Sequence, residues 1–117
     1  MSRDIDLRAA DAIRILSIDM VANAKSGHPG MPLGASTIIY TLFKDHLRFD
    51  PTDPLWINRD RFILSSGHAS SMLYATLHLF GYPLTIDDLK NFRRIDSRTP
   101  GHPEYDPKLG IEFTTGP

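Results

Sequence analysis

The sequence predicts an α/β fold that is mostly helical within these 117 residues and contains one clear strand. Two observations predict this class. Apolar residues recur every three or four positions over long stretches, which indicates amphipathic helices. Between those stretches, residues 62–64 are apolar on both faces, as is typical of a central strand in a parallel sheet. Since no second strand is evident, we expect residues 1–117 to form the incomplete N-terminal part of a larger domain.

The helical periodicity predicts three long helices and one short one. The long helices are expected over residues 4–24, 33–47 and about 69–80. The short helix is expected to begin at Thr85, because a hydroxyl at that position and the Asp88 carboxylate three residues later form a capping-box pattern.

The charge balance and composition exclude several classes of protein. Thirteen Lys and Arg residues oppose 14 Asp and Glu residues without forming a basic block, so nothing favours nucleic acid or a membrane surface. The lack of cysteine excludes disulfides and cysteine-ligated metals. Asp4 and Asp6 lie where a targeting peptide would be basic, and no uncharged apolar run reaches membrane-spanning length. We therefore expect a cytoplasmic protein.

The turn between the predicted strand and the third helix has the features of an anion site. Backbone N–H groups at a helix start lie at the positive end of the helix dipole and bind phosphate readily. Hydroxyls at Ser65, Ser66 and Ser70 and the His68 imidazole are nearby. In the alternative interpretation, Ser66 only caps the helix and Gly67 only forms the turn.

Three of the five histidines, His28, His68 and His102, directly follow glycine in turn-forming sequence. Any one of them alone is most simply a surface turn residue. Together they indicate a shared site in which imidazoles carry protons or donate hydrogen bonds to an anionic or hydroxylated ligand. We expect His46 and His78, which lie within predicted helices, to be structural.

Other common sites lack their motifs. A zinc site would need closely spaced ligands, as in His-Glu-x-x-His, and the turn histidines are far apart in the chain. A serine hydrolase would need Gly-x-Ser-x-Gly. Neither the dinucleotide-binding glycine motif nor the phosphate-binding loop of nucleotide hydrolases occurs.

Four segments together resemble the successive N-terminal motifs of the transketolase family, in the family's order and spacing. They read Lys-Ser-Gly-His-Pro-Gly at 25–30, Leu-Ser-Ser-Gly-His-Ala-Ser at 64–70, Ser-Arg-Thr-Pro-Gly-His-Pro-Glu at 97–104 and Thr-Thr-Gly-Pro at 114–117. The resemblance covers nearly the whole chain. It implies the N-terminal portion of a thiamine diphosphate-binding, doubly wound parallel-sheet domain. The implied reaction is transfer of a two-carbon ketol unit from a ketose phosphate to an aldose phosphate, in the pentose phosphate pathway or Calvin cycle.

The resemblance also implies roles for individual residues. His68 would contact the cofactor diphosphate, and Gly116 would lie against the cofactor, where a side chain would collide. His28 and His102 would be the catalytic and substrate-binding residues that face the reacting carbons and the hydroxyls of the donor sugar. The thiazolium ring of the cofactor supplies the chemistry, and the protein supplies position and proton management.

A divalent cation and a partner subunit are further implications of the resemblance. The cation would be Mg²⁺ or Ca²⁺, with its ligands beyond residue 117 and none among these residues. The full-length enzyme would be a homodimer in which the partner subunit usually binds the aminopyrimidine. Since the chain stops at Pro117, before the metal-binding segment, we expect it to be inactive alone.

Two other interpretations stay open. Dihydroxyacetone synthase shares these motifs and differs in its acceptor, formaldehyde. Alternatively, the chain is a non-catalytic truncated remnant or one subunit of a split enzyme. The genomic sequence immediately downstream would distinguish a truncation, a split enzyme and a remnant.

Overall fold

A computed structural model describes the backbone of residues 2–116 and the side chains of residues 3–116. Four α-helices follow one another in chain order, with a π-helical turn after the second and 3-10 turns before the third and after the fourth. The α-helices are α1 (Ser2–Ala24), α2 (Gly30–Thr41), α3 (Ser70–Leu79) and α4 (Ile86–Lys90); the π turn is Leu42–His46, and the 3-10 turns are Gly67–Ala69 and Pro107–Leu109.

The predicted helices are confirmed, with one shift. α2 begins at Gly30, three residues earlier than predicted, because Pro32 fits the first turn of a helix, where its missing N–H would have no partner. The capping box is present: the Asp88 amide donates to the Thr85 hydroxyl at 3.1 Å, and the Thr85 amide donates to the Asp88 carboxylate at 2.9 Å. No helix within residues 2–116 is long and apolar enough to cross a membrane.

The centre of the core is α3, which is buried at every position from Ser70 to Leu77. α1 and α2 both pack against it and contribute the buried side chains Ile13 and Ile39. Phe43, in the π turn, adds an aromatic cluster, with ring centroids 5.3 Å from those of Phe49 and Phe62 and 5.5 Å from that of Phe80. The N-terminal end of α3, where the candidate site lies, is therefore held by a packed helix.

The prediction of one clear strand is wrong for the part of the chain that the structure describes. Residues 62–64 have no regular secondary structure, because a strand needs a hydrogen-bonded neighbour and residues 2–116 provide none for them. Their side chains alternate: Leu64 is buried, whereas Ile63 is 51% exposed. The β pairing described here is an isolated antiparallel bridge between Asp106 and Ile111.

The end of α1 contains a strained residue. Lys25 follows the helix with a φ of 53°, in the left-handed region where glycine is usual. Its amide donates to the Ala22 carbonyl at 3.2 Å, and the Ser26 amide donates to the Val21 carbonyl at 3.3 Å. These bonds satisfy carbonyls at the end of α1 and turn the chain towards His28.

Two leucines on α3 test how far the core depends on this helix. Leu77 is fully buried and Leu79 is 42% exposed. We expect Leu77→Ala to lower the free energy of unfolding by about 2–5 kcal/mol, because it removes buried methyl groups and leaves a cavity. The matched change Leu79→Ala should cost much less. Chemical denaturation would measure both, and equal losses would contradict the placement of α3 at the centre.

Candidate cofactor and substrate site

In the turn that precedes α3, two backbone amides donate hydrogen bonds to carbonyls of the same turn. The Gly67 amide donates to the Ser65 carbonyl at 3.0 Å, and the Ala69 amide donates to the Ser66 carbonyl at 2.8 Å. Ser66 is the residue before the 3-10 turn, yet its side chain makes no capping hydrogen bond. The alternative interpretation, in which Ser66 only caps the helix, is therefore wrong, and the Gly67 and Ala69 amides are already bonded within the turn.

Two hydroxyls on one face of α3 hold the loop that carries His102. Ser70 donates to the Gly101 carbonyl at 2.6 Å, and Tyr74, one helical turn later, donates to the Pro100 carbonyl at 2.6 Å. Burial, and to a lesser extent the Glu104 carboxylate, raises the pKa of Tyr74, so its hydroxyl keeps the proton that it donates. The Ser70 hydroxyl thus anchors a loop, whereas the sequence suggested it as a possible phosphate ligand.

Gly67 and Gly116 touch backbone to backbone. A Cβ added to the buried Gly67 would lie 2.6 Å from both the nitrogen and the Cα of Gly116, closer than real side chains approach. Gly116 has a φ of +105°, and a Cβ there would collide with the His102 ring, lying 2.8 Å from its Cγ. Glycine is therefore required at both positions, by close approach at Gly67 and by both conformation and contact at Gly116.

The three turn histidines form one continuous cluster around this contact. The rings of His28 and His68 meet edge to face, with centroids 5.2 Å apart and planes at 75°. His68 follows Gly67 directly, and His102 packs on Gly116. His28 and His68 are exposed and His102 is half-buried, so the imidazoles of the first two face solvent.

The remaining two histidines are outside this cluster. His78 lies in α3 with its Nδ1 atom 2.6 Å from the Leu84 carbonyl oxygen, a contact that ties α3 to the chain after it. His46 is exposed at the end of the π turn.

Each turn that carries a histidine is fixed by contacts of its own. Gly27 has a φ of +127°, and a Cβ there would lie 3.1 Å from Val21 and 3.2 Å from the Phe92 ring, so the turn before His28 packs directly on the core. At the His102 loop, a Cβ on Gly101 would lie 2.7 Å from the Arg93 guanidinium. The packing of Gly27 restricts the backbone before His28, and the hydrogen bonds from Ser70 and Tyr74 restrict the backbone before His102.

The chain around Gly116 is bonded to the His102 loop. The Thr115 amide donates to the Pro103 carbonyl at 3.2 Å, and the Tyr105 amide donates to the Thr114 hydroxyl at 2.8 Å. The Thr115 hydroxyl is buried and has no hydrogen-bond partner among the residues that the structure describes. An unpartnered buried hydroxyl beside the glycine contact is a group that a bound ligand can satisfy.

Within the described residues, no metal-binding cluster occurs at the histidines, and the main cavity lies elsewhere. Within residues 2–116, no group of three or more His, Asp or Glu side chains could hold a metal ion. A cavity of about 710 Å³ lies between α1 and α4, where Met20 and Leu89 line it, and none of the three clustered histidines contributes to it. The candidate site is therefore an open cluster on the surface of these residues.

Residues 5–117 match the family described as transketolase, thiamine diphosphate binding domain. The chain belongs to this family. Among curated relatives, it is 57% identical over 115 residues to the transketolase of Aquifex aeolicus and 54% identical over 117 residues to that of Geobacillus stearothermophilus. The alignments cover 98% and 100% of this chain but only 17% and 18% of those relatives.

Solved transketolase structures share the fold of this chain. A complex of the Pichia stipitis enzyme with sedoheptulose-7-phosphate has a TM-score of 0.92 and 54% identity, over 97% of this chain and 17% of that one. The Campylobacter jejuni transketolase has a TM-score of 0.92 and 53% identity, over 97% and 18% respectively. The resemblance inferred from the motifs is thus confirmed, and the α/β class is that of the transketolase domain although residues 2–116 are mostly helical.

Sequence reasoning missed the residues that support the candidate site. Tyr74 donates to the Pro100 carbonyl and the Arg93 amide donates to the Thr99 carbonyl, so both hold the loop before His102. A largely buried ion pair between Arg59 and Glu112 joins segments that lead into the site. Ser70 and Tyr74 are four residues apart on one helix, a spacing that signals a common face, but their bonding partners lie on a loop that periodicity does not predict.

Gly116 allows a direct test of the cluster. We expect Gly116→Ala to lower the free energy of unfolding by about 1–3 kcal/mol and to displace the His102 ring, because the added Cβ is strained by the positive φ and collides with that ring. Thermal unfolding and the NMR shift of the His102 imidazole protons would report the two effects.

Gly30→Ala is the matched control for this change. Nothing lies within 4 Å of a Cβ added at Gly30, which starts α2, so this variant should be neutral or slightly stabilised. An unshifted His102 signal in Gly116→Ala would count against the contact.

Proposed function

We propose that residues 1–117 form the opening part of the thiamine diphosphate-binding domain of an enzyme that transfers a two-carbon ketol unit from a ketose phosphate to an aldose phosphate. The observation that carries the proposal is the cluster in which His28 meets His68, Gly67 touches Gly116 and His102 packs on Gly116. A related transketolase was solved with a sugar phosphate, sedoheptulose-7-phosphate. Since the chain spans under a fifth of its relatives, the activity belongs to the full-length protein.

The described residues fit the diphosphate end of the cofactor. Gly116 is exposed and carries no side chain, the buried Thr115 hydroxyl lacks a partner among the described residues, and the His68 imidazole faces solvent. His68 would donate a hydrogen bond to a diphosphate oxygen, and the Gly116 backbone would lie against the cofactor. When bound, thiamine diphosphate supplies the carbon that carries the two-carbon unit between sugars.

His28 and His102 would act on the sugar. An imidazole titrates near neutral pH and can therefore both accept and donate a proton at a substrate hydroxyl. Both side chains extend from turns whose backbone is fixed, His28 after the packed Gly27 and His102 after Gly101, which accepts the Ser70 hydrogen bond. Fixed turns reduce the entropy that is lost when a substrate is oriented.

The proposal includes a divalent cation, Mg²⁺ or Ca²⁺, bound by residues outside 1–117. A diphosphate carries several negative charges on oxygen, and these hard cations prefer oxygen ligands. The homodimer, the cytoplasmic location and the pentose phosphate pathway stay predictions that derive from the motifs and from the N-terminal sequence.

His68→Ala in the full-length protein should weaken thiamine diphosphate binding by about 1.5–3 kcal/mol, since it removes a hydrogen bond to a charged phosphate. Turnover at saturating cofactor should change much less. Calorimetric titration would give the dissociation constant. His46→Ala, which changes an exposed histidine outside the cluster, should leave it unaltered. An unchanged constant in His68→Ala would remove the cofactor assignment.

Alanine at His28 or at His102 should produce the opposite pattern. We expect kcat/KM for the ketose phosphate to fall by about 10²–10⁴-fold, the usual loss when a positioned acid-base group is removed. Affinity for thiamine diphosphate should stay close to that of the wild type. Steady-state kinetics at saturating cofactor, combined with the same titration, separates the two effects. Loss of cofactor affinity with normal turnover at excess cofactor would show that the roles are wrongly divided.

A further inference from the structure

A largely buried ion pair joins two segments that lie far apart in the chain. The Arg59 guanidinium donates through Nε to one Glu112 oxygen at 2.7 Å and through Nη2 to the other at 3.0 Å. Its Nη1 donates to the Trp56 carbonyl at 2.9 Å, so each of the three guanidinium nitrogens has a partner. The two side chains are only 10% and 8% exposed, whereas the other ion pairs of the described residues have at least one partner that is more than 25% exposed.

Each partner lies a few residues before one side of the glycine contact. The chain runs from Arg59 through residues 62–64 to Gly67 and His68, and from Glu112 to Thr115 and Gly116. Residue 112 directly follows the antiparallel bridge formed by Ile111 and Asp106, whose amides and carbonyls bond at 2.9 and 3.1 Å. The ion pair thus connects the two segments shortly before they meet.

The Arg59–Glu112 ion pair is better suited to fixing the relative positions of two chain segments than to stabilising the fold. Two charges removed from water recover little net free energy from their attraction, so a buried pair contributes mainly when its geometry is well satisfied. The planar fork of arginine fixes both the distance and the orientation of the carboxylate, which a lysine cannot do. Residues 62–64 have no strand partner within the described chain, so the ion pair provides a connection that β pairing does not.

We propose that Arg59 and Glu112 are positioning residues that set how residues 114–116 lie against Gly67, and thereby the shape of the cofactor site. This inference rests on the proposed function for its ligand, thiamine diphosphate, but the geometry itself is independent of the ligand. The hydrogen bonds of the Glu112 carboxylate go to Arg59 and not to the glycines or the histidines, so Glu112 acts through the chain that follows it.

Glu112→Gln in the full-length protein tests the proposal, because it keeps the shape of the side chain and removes its charge. Hydrogen exchange measured by mass spectrometry without cofactor should become several-fold faster in peptides that contain Thr115, whose amide bonds to Pro103. The dissociation constant for thiamine diphosphate should rise about 10-fold, the lower end of the loss that follows removal of a residue that orients a metal ligand. Because His102 packs on Gly116, kcat/KM for the sugar at saturating cofactor should fall as well.

Two further variants separate positioning from loss of stability. Arg59→Lys keeps the charge but lacks the fork, so it should resemble Glu112→Gln in both measurements. Asp6→Asn breaks an ion pair with Lys44 that lies between α1 and the π turn, away from the site. It should lower the unfolding temperature without changing either exchange at Thr115 or cofactor affinity.

The outcomes distinguish this inference from the proposed function. Wild-type exchange at Thr115 in both Glu112→Gln and Arg59→Lys would overturn the positioning role, as would a change in Asp6→Asn as large as theirs. Failure of the wild-type protein to bind thiamine diphosphate would overturn the proposed function, while the exchange measurement would still decide whether the ion pair sets the geometry of residues 114–116.

Discussion

The backbone of Gly67 lies directly against that of Gly116, and the candidate site is arranged around this contact. No side chain fits between the two residues, so the turn before α3 and the segment around Gly116 are in direct backbone contact. His68 extends from one side of the contact, and His102 packs on the other. The backbone contact between Gly67 and Gly116 therefore determines where these two imidazoles lie.

α3 supports this arrangement rigidly, but the hydroxyls that it uses for this purpose are not available to a ligand. Hydroxyls near its N-terminal end would suit a phosphate, yet the Ser70 hydroxyl, like that of Tyr74 one turn later, donates to a carbonyl of the loop before His102. The polar groups of the region are thereby divided. Hydroxyls on the helix hold protein segments in place, while two imidazoles, on His28 and His68, face solvent. The imidazoles, which can exchange protons, thus extend from turns whose backbone is fixed.

The features that the sequence predicted correctly depend on residues that are close together in the chain. Hydrophobic periodicity located the helices, and the Thr85 and Asp88 pattern located a capping box, because both depend on residues close in the chain. Residues 62–64 were misassigned because a strand depends on a neighbour that the described residues do not contain. The contact of Gly67 with Gly116 and the Arg59–Glu112 pair also escaped prediction, since each joins residues about 50 positions apart. The three histidines that follow glycine did predict a shared location, and the fold brings them together.

The left-handed conformation of Lys25 affects how this protein would respond to selection for heat resistance. Glycine and asparagine adopt that conformation more easily than lysine does, so either would relieve strain at the end of α1. Such a screen would therefore favour replacement of a residue only three positions before His28. Strained residues concentrate at functional sites, where gains in stability commonly reduce function. Laboratory evolution at position 25 would therefore reveal whether the lysine side chain contributes to the function of the His28 imidazole.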